Sequence, residues 1–158
     1  MMMRSATTLA IMLLWCSSAV FAAGGDPPAG GGAPADPAIE AARAAIAKKD
    51  WPGARKVMQD AVARDAKNAD YHNLYAYATR KGPAPDMDLV FKHYNEALRI
   101  DPKHRNAHEY IGEAYLIVNN LAKAKEHLAA LDRLCFFGCE ELDDLKKAVA
   151  AYEAKQKR

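Results

Sequence analysis

The chain has 158 residues, 51% of them apolar and 27% charged, with 22 Lys and Arg set against 20 Asp and Glu for a formal net charge of +2. That length suits one ordinary domain. The composition is too apolar for a disordered chain, too charged for a multispan membrane protein and, with 3 Cys, too poor in cysteine for a disulfide-dense miniature. So even a charge balance offers no basic field to nucleic acid, and no nucleic-acid partner is expected.

Residues 1–22 read as a secretory signal peptide: Arg4 precedes the apolar run Leu9 to Leu14, and Val20-Phe21-Ala22 places small residues around a cleavage point. A retained membrane helix over Ala6 to Ala23 fits less well, because Thr7, Thr8, Ser17 and Ser18 dilute it and no basic stop-transfer residues follow. Cys16 raises a lipid anchor, but Trp15 stands where a lipoprotein carries a small residue. The expectation is an exported product, periplasmic or secreted, with no membrane span after cleavage. Residues 23–37 (AGGDPPAGGGAPADP) hold nothing large to bury and are expected to form a flexible linker.

From Ala38 onward no period-two alternation appears, and apolar residues return at helical spacing. Breaks fall at Asp50-Trp51-Pro52, Ala66-Lys67-Asn68, Gly82-Pro83-Ala84-Pro85-Asp86, Asp101-Pro102 and Asn119-Asn120. Asp50, Asp86 and Asn120 stand where they would cap the helices that follow, and Pro52 falls in a first turn. The spacing predicts helices over 106–118, 121–133 and 140–156. Leu121, Ala124, Leu128 and Leu131 form one stripe, as do Leu142, Leu145, Val149 and Tyr152.

These helix pairs repeat. In the unit 105–134, Gly112 is followed by Tyr115 and then Ala124, after Asp101-Pro102. In the unit 69–104, Ala76 takes the small position, Tyr94 and Ala97 supply an aromatic and a small residue, and Pro102 closes it; its two surplus residues fall in the Gly-Pro-Ala-Pro turn. The unit 35–68 matches at Ala42, Ala54, Met58 and Ala61 but closes on Ala66 rather than Pro. The pattern resembles the tetratricopeptide repeat (TPR) family. That resemblance implies an all-α solenoid of about three helix-turn-helix repeats over residues 38–157, closed by a capping helix at 140–156. Ala42, Ala54, Ala76, Ala97, Gly112, Tyr115 and Ala124 would be the packing positions, the small ones letting each helix approach its partner.

The family register also implies a groove lined by first helices, here Ile39, Arg43, Asp70, Asn73, Tyr77, Arg80, Asn106, Glu109 and Glu113. Such a surface suits an extended peptide or a partner's loop; the plain alternative is a solvated helix face. TPR domains that grip chaperone tails use cationic and amide residues at set groove positions. Those positions here hold Ile39, Arg43, Leu74, Asn106 and Tyr110, so that carboxylate clamp is absent.

Cys135 and Cys139 remain after signal cleavage, and an even pair in an exported chain reads first as a disulfide, with Gly138 able to take the backbone out of helix. Free thiols, a redox switch and metal binding stay open, because C-x3-C is also similar to the copper-binding loop of copper chaperones. Against copper, no His or Met follows Cys135. His72 and His108 share one repeat position and His93 and His127 another, which favours packing; His104 and His108 have a chelating spacing. No Gly-x-Ser-x-Gly or His-Glu-x-x-His is present. The expectation is a non-catalytic interaction module for a protein or peptide partner, with no cofactor and no metal; the runner-up is a thiol-redox or copper-handling accessory using Cys135 and Cys139.

Overall fold

The computed structural model describes residues 35–157 and winds them into seven α-helices, with no strand among the described residues. They are α1 Pro37–Ala47, α2 Trp51–Arg64, α3 Ala69–Lys81, α4 Met87–Ile100, α5 Arg105–Ile117, α6 Leu121–Leu134 and α7 Glu140–Gln156. The signal peptide expected over 1–22, and most of the linker expected over 23–37, lie outside the described residues. Pro37, the last residue of that expected linker, opens α1 because Asp36 caps the helix. Its Oδ1 accepts from the backbone N–H groups of Ala38 at 2.8 Å and Ile39 at 3.1 Å, and a proline in the first turn gives up no bond the helix would have made.

The other helix starts follow the same chemistry. Asp50, Asp86 and Asn120 each accept from the N–H three residues on, at 2.9, 3.0 and 3.1 Å, and Asn68 does so for Tyr71 at 3.3 Å. Helix α5 is capped by a histidine, whose Nδ1 accepts from the Ala107 N–H at 3.2 Å. Between α1 and α2, and again between α5 and α6, the chain reverses through one left-handed residue, Lys49 (φ 57°) and Asn119 (φ 58°). The turn between α3 and α4 is longer, and there Gly82 keeps a negative φ of −68° before Pro83 and Pro85 block any helical continuation.

Helices α1 and α2, α3 and α4, and α5 and α6 pair as hairpins, each hairpin packs on the first helix of the next, and α7 packs on both α5 and α6. The odd-numbered helices also touch in succession, so they form one layer, and each even-numbered helix packs against two of them. The core follows this plan as three patches strung along the stack. The first joins Ala42, Met58, Ala61 and Tyr75, the second Ala76, Val90, Tyr94, Ile111 and Ala114, and the third Ala124, Leu131, Cys135, Leu142, Leu145 and Val149. Each patch bridges one hairpin to its successor, which is why a single hairpin could not bury it.

Ala42, Ala54, Ala76, Ala97 and Ala124 are all buried. Tyr115 is half-buried and stacks on Phe91 and on His127, with ring centres 4.6 and 5.7 Å away. Gly112 serves a partner other than its hairpin mate: a Cβ there would lie 2.7 Å from Leu145 Cδ2 and 2.9 Å from Cδ1. Its missing side chain is the seat of α7.

The recurrent histidines join first to second helices. His72 Nδ1 lies 2.8 Å from His93 Nδ1, and His108 Nδ1 lies 3.0 Å from His127 Nδ1. The other ring nitrogen of His72 is 3.2 Å from the Ala66 carbonyl and that of His108 is 3.1 Å from the Pro102 carbonyl. A carbonyl only accepts, so both Nε2 atoms carry the proton and each Nδ1 accepts from its partner's Nδ1–H. His104 does not join His108 as a chelate, because its Nδ1 caps α5 and its Nε2 lies 3.2 Å from Asp70 Oδ1.

Leu145 is fully buried and its tip would have to shift to admit a side chain at Gly112, so Gly112→Val should cost about 1–3 kcal/mol in urea unfolding; wild-type stability would mean that α7 is not seated there. Burial, and then the neighbouring histidine, push His93 and His127 down to about 4. Since an unfolded histidine takes its proton near 6.5, that stability is complete above pH 6.5 and lost as pH falls toward 4, on the order of 3 kcal/mol per pair. The loss between pH 7 and pH 4.5 should therefore shrink by about that amount in His93→Asn, and an equal loss in both proteins would contradict the neutral pair.

Candidate functional site

The layer of odd-numbered helices carries two adjoining hollows. The first, about 190 Å³, is walled by Arg43 and Ile46 of α1, Asp70, Asn73, Leu74 and Tyr77 of α3, and Asn106 and Tyr110 of α5. The second, about 150 Å³, shares Asn106 and Tyr110 and adds Glu109 of α5 with Glu140, Glu141 and Asp144 of α7. Helical spacing produces this alignment, since Asn73 and Tyr77, like Asn106 and Tyr110, are four residues apart and fall on one side of their helices. A third hollow of about 180 Å³, between Trp51, Pro52 and Arg55 and the Gly82-Pro83-Ala84 turn, shares no residue with these two.

Of the residues expected in the groove, Arg43, Asp70, Asn73, Tyr77 and Asn106 wall the first hollow, and Asn106 and Glu109 the second. Ile39, Arg80 and Glu113 line neither. Arg80 turns inward: its side chain is buried, its Nη2 donates to Glu113 Oε2 at 2.7 Å, and its Nε donates to the Tyr94 hydroxyl at 3.4 Å. Its guanidinium carbon lies 5.6 and 5.8 Å from the ring centres of Tyr77 and Tyr110, which are themselves 4.7 Å apart. The expectation that Arg80 faces the groove is thus corrected, because a long side chain beside three tyrosines and a carboxylate finds better partners inward than in water. Ile46 also walls the first hollow without a place in the family's groove register, as do Leu74 and Tyr110, which stand at positions where the clamp residues are absent. The repeated amide-x3-tyrosine pattern was the available signal for Tyr110.

Two polar groups in these walls lack partners. Asn73 is 3% exposed, and its Oδ1 is wholly buried with no hydrogen bond among the described residues, an arrangement that costs about 1–3 kcal/mol. Glu109 is 8% exposed, lines the second hollow and makes no ion pair among the described residues. Burial raises it to about 8, the nearby Glu113, Asp144 and Glu141 add to the rise, and Arg80 opposes it. Burial likewise holds the Tyr110 hydroxyl at about 12, so it keeps its proton.

At the far end of α6, Cys135 and Cys139 are bonded, with Cα atoms 5.6 Å apart. Gly138 closes the loop with φ 85°, and Phe136 and Phe137 between them are 87% and 97% exposed. The two sulfurs and a Glu141 oxygen lie within 4.8 Å of one another. While the bond stands neither sulfur is a thiolate, and a hard carboxylate is a poor third ligand for Cu(I).

No family model matches the sequence, and no curated protein is significantly similar to it. Solved structures do match. The TPR2B domain of yeast Sti1, in complex with pHsp70, superposes with a TM-score of 0.65 at 24% identity, over 77% of this chain and 95% of that one. The Yersinia enterocolitica type III secretion translocator chaperone SycD gives 0.65 at 18% identity, over 77% and 84%. The TPR domain of Arabidopsis OM64 gives 0.64 at 19%, over 73% and 93%. What this chain shares with them is the fold.

The isolated carboxyl of Glu109 has a thermodynamic signature. A folded value near 8 against about 4.5 unfolded means that the folded protein holds this proton more tightly, so the term erodes stability as pH rises from 4.5 to 8. Glu109→Gln should accordingly be more stable than wild type at pH 8.5, by roughly 2–4 kcal/mol in urea unfolding, with the gap closing toward pH 5. No gap at pH 8.5 would mean the carboxylate is well solvated.

Proposed function

The chain being an all-α TPR solenoid, we propose that it is a non-catalytic interaction module that holds an extended segment of a partner protein across its layer of odd-numbered helices. The observation that carries this reading is Asn73 Oδ1, buried without a partner in the wall of a hollow where Tyr77, Tyr110, Ile46 and Leu74 meet the polar Arg43, Asp70 and Asn106. Tyr77 and Tyr110, packed against each other and against Arg80, offer an extended segment a rigid aromatic anchor, and rotation of the Asn73 amide toward the hollow would give its Oδ1 a backbone N–H of that segment as the missing donor. Amide, phenol, carboxylate and aliphatic walls are equipment for binding. The Sti1 domain in complex with pHsp70 and the chaperone SycD support the reading by analogy of fold.

Four of the five positions that hold the carboxylate clamp in chaperone-binding TPR domains do wall the first hollow here, as Arg43, Leu74, Asn106 and Tyr110. With one cation among them, this groove would select another segment than an anionic tail. We further propose that the module works outside the cytoplasm. The support is the signal-like sequence of residues 1–22 and the bonded Cys135 and Cys139, a pairing that persists in oxidising compartments. Among the described residues no helix is long and apolar enough to cross a membrane.

Selection of random displayed peptides on the immobilised chain tests the groove. Recovered peptides should bind Tyr77→Ala or Asn73→Leu at least about tenfold more weakly than wild type, with helicity by circular dichroism unchanged. Equal binding by both variants would place the site elsewhere.

A further inference from the structure

We propose that the second hollow, between α5 and α7, is a subsite for a cationic side chain, so that the partner segment carries an arginine or lysine whose head sits against Glu109 and beside the Tyr110 ring. This rests on the groove reading above and names the chemistry of what the groove takes.

The case begins with Glu109. A carboxylate on a buried residue is ordinarily matched by a cation or by several donors; Glu109 is 8% exposed, makes no ion pair among the described residues and lines the hollow. The nearby cations are committed. Arg80 of α3 is held by Glu113 at 2.7 Å, Arg105 of α5 reaches Glu141 at 3.7 Å, and Lys147 of α7 pairs with Asp144 at 2.8 Å on the exposed side. None of the three lines the hollow, whose walls are Asn106, Glu109 and Tyr110 of α5 and Glu140, Glu141 and Asp144 of α7. Four carboxyl groups therefore face one small space whose other walls, Asn106 and Tyr110, carry no positive charge.

The arrangement also discriminates between kinds of cation. Among the described residues, the one group of three acidic, histidine or cysteine side chains whose ligand atoms converge within 4.8 Å is Cys135, Cys139 and Glu141. No three of the carboxylates around the hollow bring their oxygens together, so its walls do not form an all-protein cage for a metal ion, whose oxygen ligands crowd within about 2–2.6 Å of it. A planar guanidinium or an ammonium with several donors suits spread acceptors better. Tyr110, whose ring forms part of both hollows, presents an aromatic surface to such a head. Because the whole chain is nearly neutral, the attraction is local to this corner and does not come from a global field.

Binding has a proton balance. Glu109 is largely protonated at neutral pH, and a cation favours the carboxylate, so docking releases that proton to solvent. The groups facing it are Glu113 and Tyr110 from its own helix, Asp144 and Glu141 from α7, and Arg80 from α3. The net acidic surroundings keep the carboxyl protonated until a cation arrives, and affinity should rise with pH up to about 8.

The experiment selects random displayed peptides on the full chain at pH 8 and remakes the recovered sequences as capped synthetic peptides. The expected result is arginine or lysine at one fixed position. Replacing that residue by Gln in the peptide, or Glu109→Gln in the protein, should each weaken binding at least about tenfold, with little further loss when both are made. Wild-type affinity should fall roughly tenfold from pH 8 to pH 6.5, and Glu109→Gln should show no such fall. Glu126→Gln, an exposed change on α6, should leave binding as it is. Peptides that depend on Asn73 and Tyr77 but carry no basic residue, or that ignore Glu109→Gln, overturn the cationic subsite and leave the groove standing. An equal loss in Glu126→Gln overturns it as unspecific charge attraction. Peptides indifferent to Asn73 and Tyr77 overturn both readings.

Discussion

The groove is organised around one buried cation. Arg80 lies beneath Tyr77 and Tyr110, donates to the Tyr94 hydroxyl and is closed by Glu113, so a single guanidinium ties α3, α4 and α5 together. Held among aromatic faces and one carboxylate, it has hydrogen-bond and ring partners in several directions, which is what makes a buried charge tolerable. Two consequences reach the surface. The tyrosine rings are fixed in place as a floor, and Glu113 has its charge satisfied. Glu109, one helical turn away, is left with desolvation and like charges and no cation of its own.

The repeats are joined by devices that recur at the same address. Small alanines sit at the helix crossings, and the histidine pairs His72 with His93 and His108 with His127 clip first to second helices in successive units. A pair of neutral imidazoles fills space like an aromatic residue and still satisfies a carbonyl at each hairpin mouth. The same pairs become a liability in acid, because a second proton would set two donors face to face.

Helix α7 acts both as a lid on the core and as a wall of the binding face. Leu145 fills the space left by Gly112, and the bonded Cys135 and Cys139 fasten the loop by which α7 begins. So short a disulfide loop contributes only about 2 kcal/mol by chain entropy; its larger effect is on where Glu140, Glu141 and Asp144 stand. A capping helix is expected to carry a polar outer face. Here part of that polar face closes the second hollow, which makes the end of the stack a chemical feature of the groove.

Local chemistry made the helices and the stacking legible. Caps at Asp50, Asp86 and Asn120, the turn at Gly82 to Pro85, the stripe through Leu142, Leu145 and Val149 and the small residues at repeat spacing depend on neighbours within a few positions or on one period, and each is readable along the chain. Arg43, Asn73, Tyr77, Asn106 and Glu109 could be placed on the groove side by register alone. What register does not contain is the direction a long side chain takes when several partners from other helices compete for it. Arg80 went inward because Tyr94 and Glu113, 14 and 33 residues away, meet there, and only then did Glu109 become the carboxylate without a partner. Gly112 was legible as small, yet its partner was decided by the seating of α7. The sequence alone determined which helices form and how they stack, since those are short-range and periodic properties. Which charges cancel and which stay open was left to the tertiary structure, because pairing and desolvation depend on groups that only the folded stack brings together.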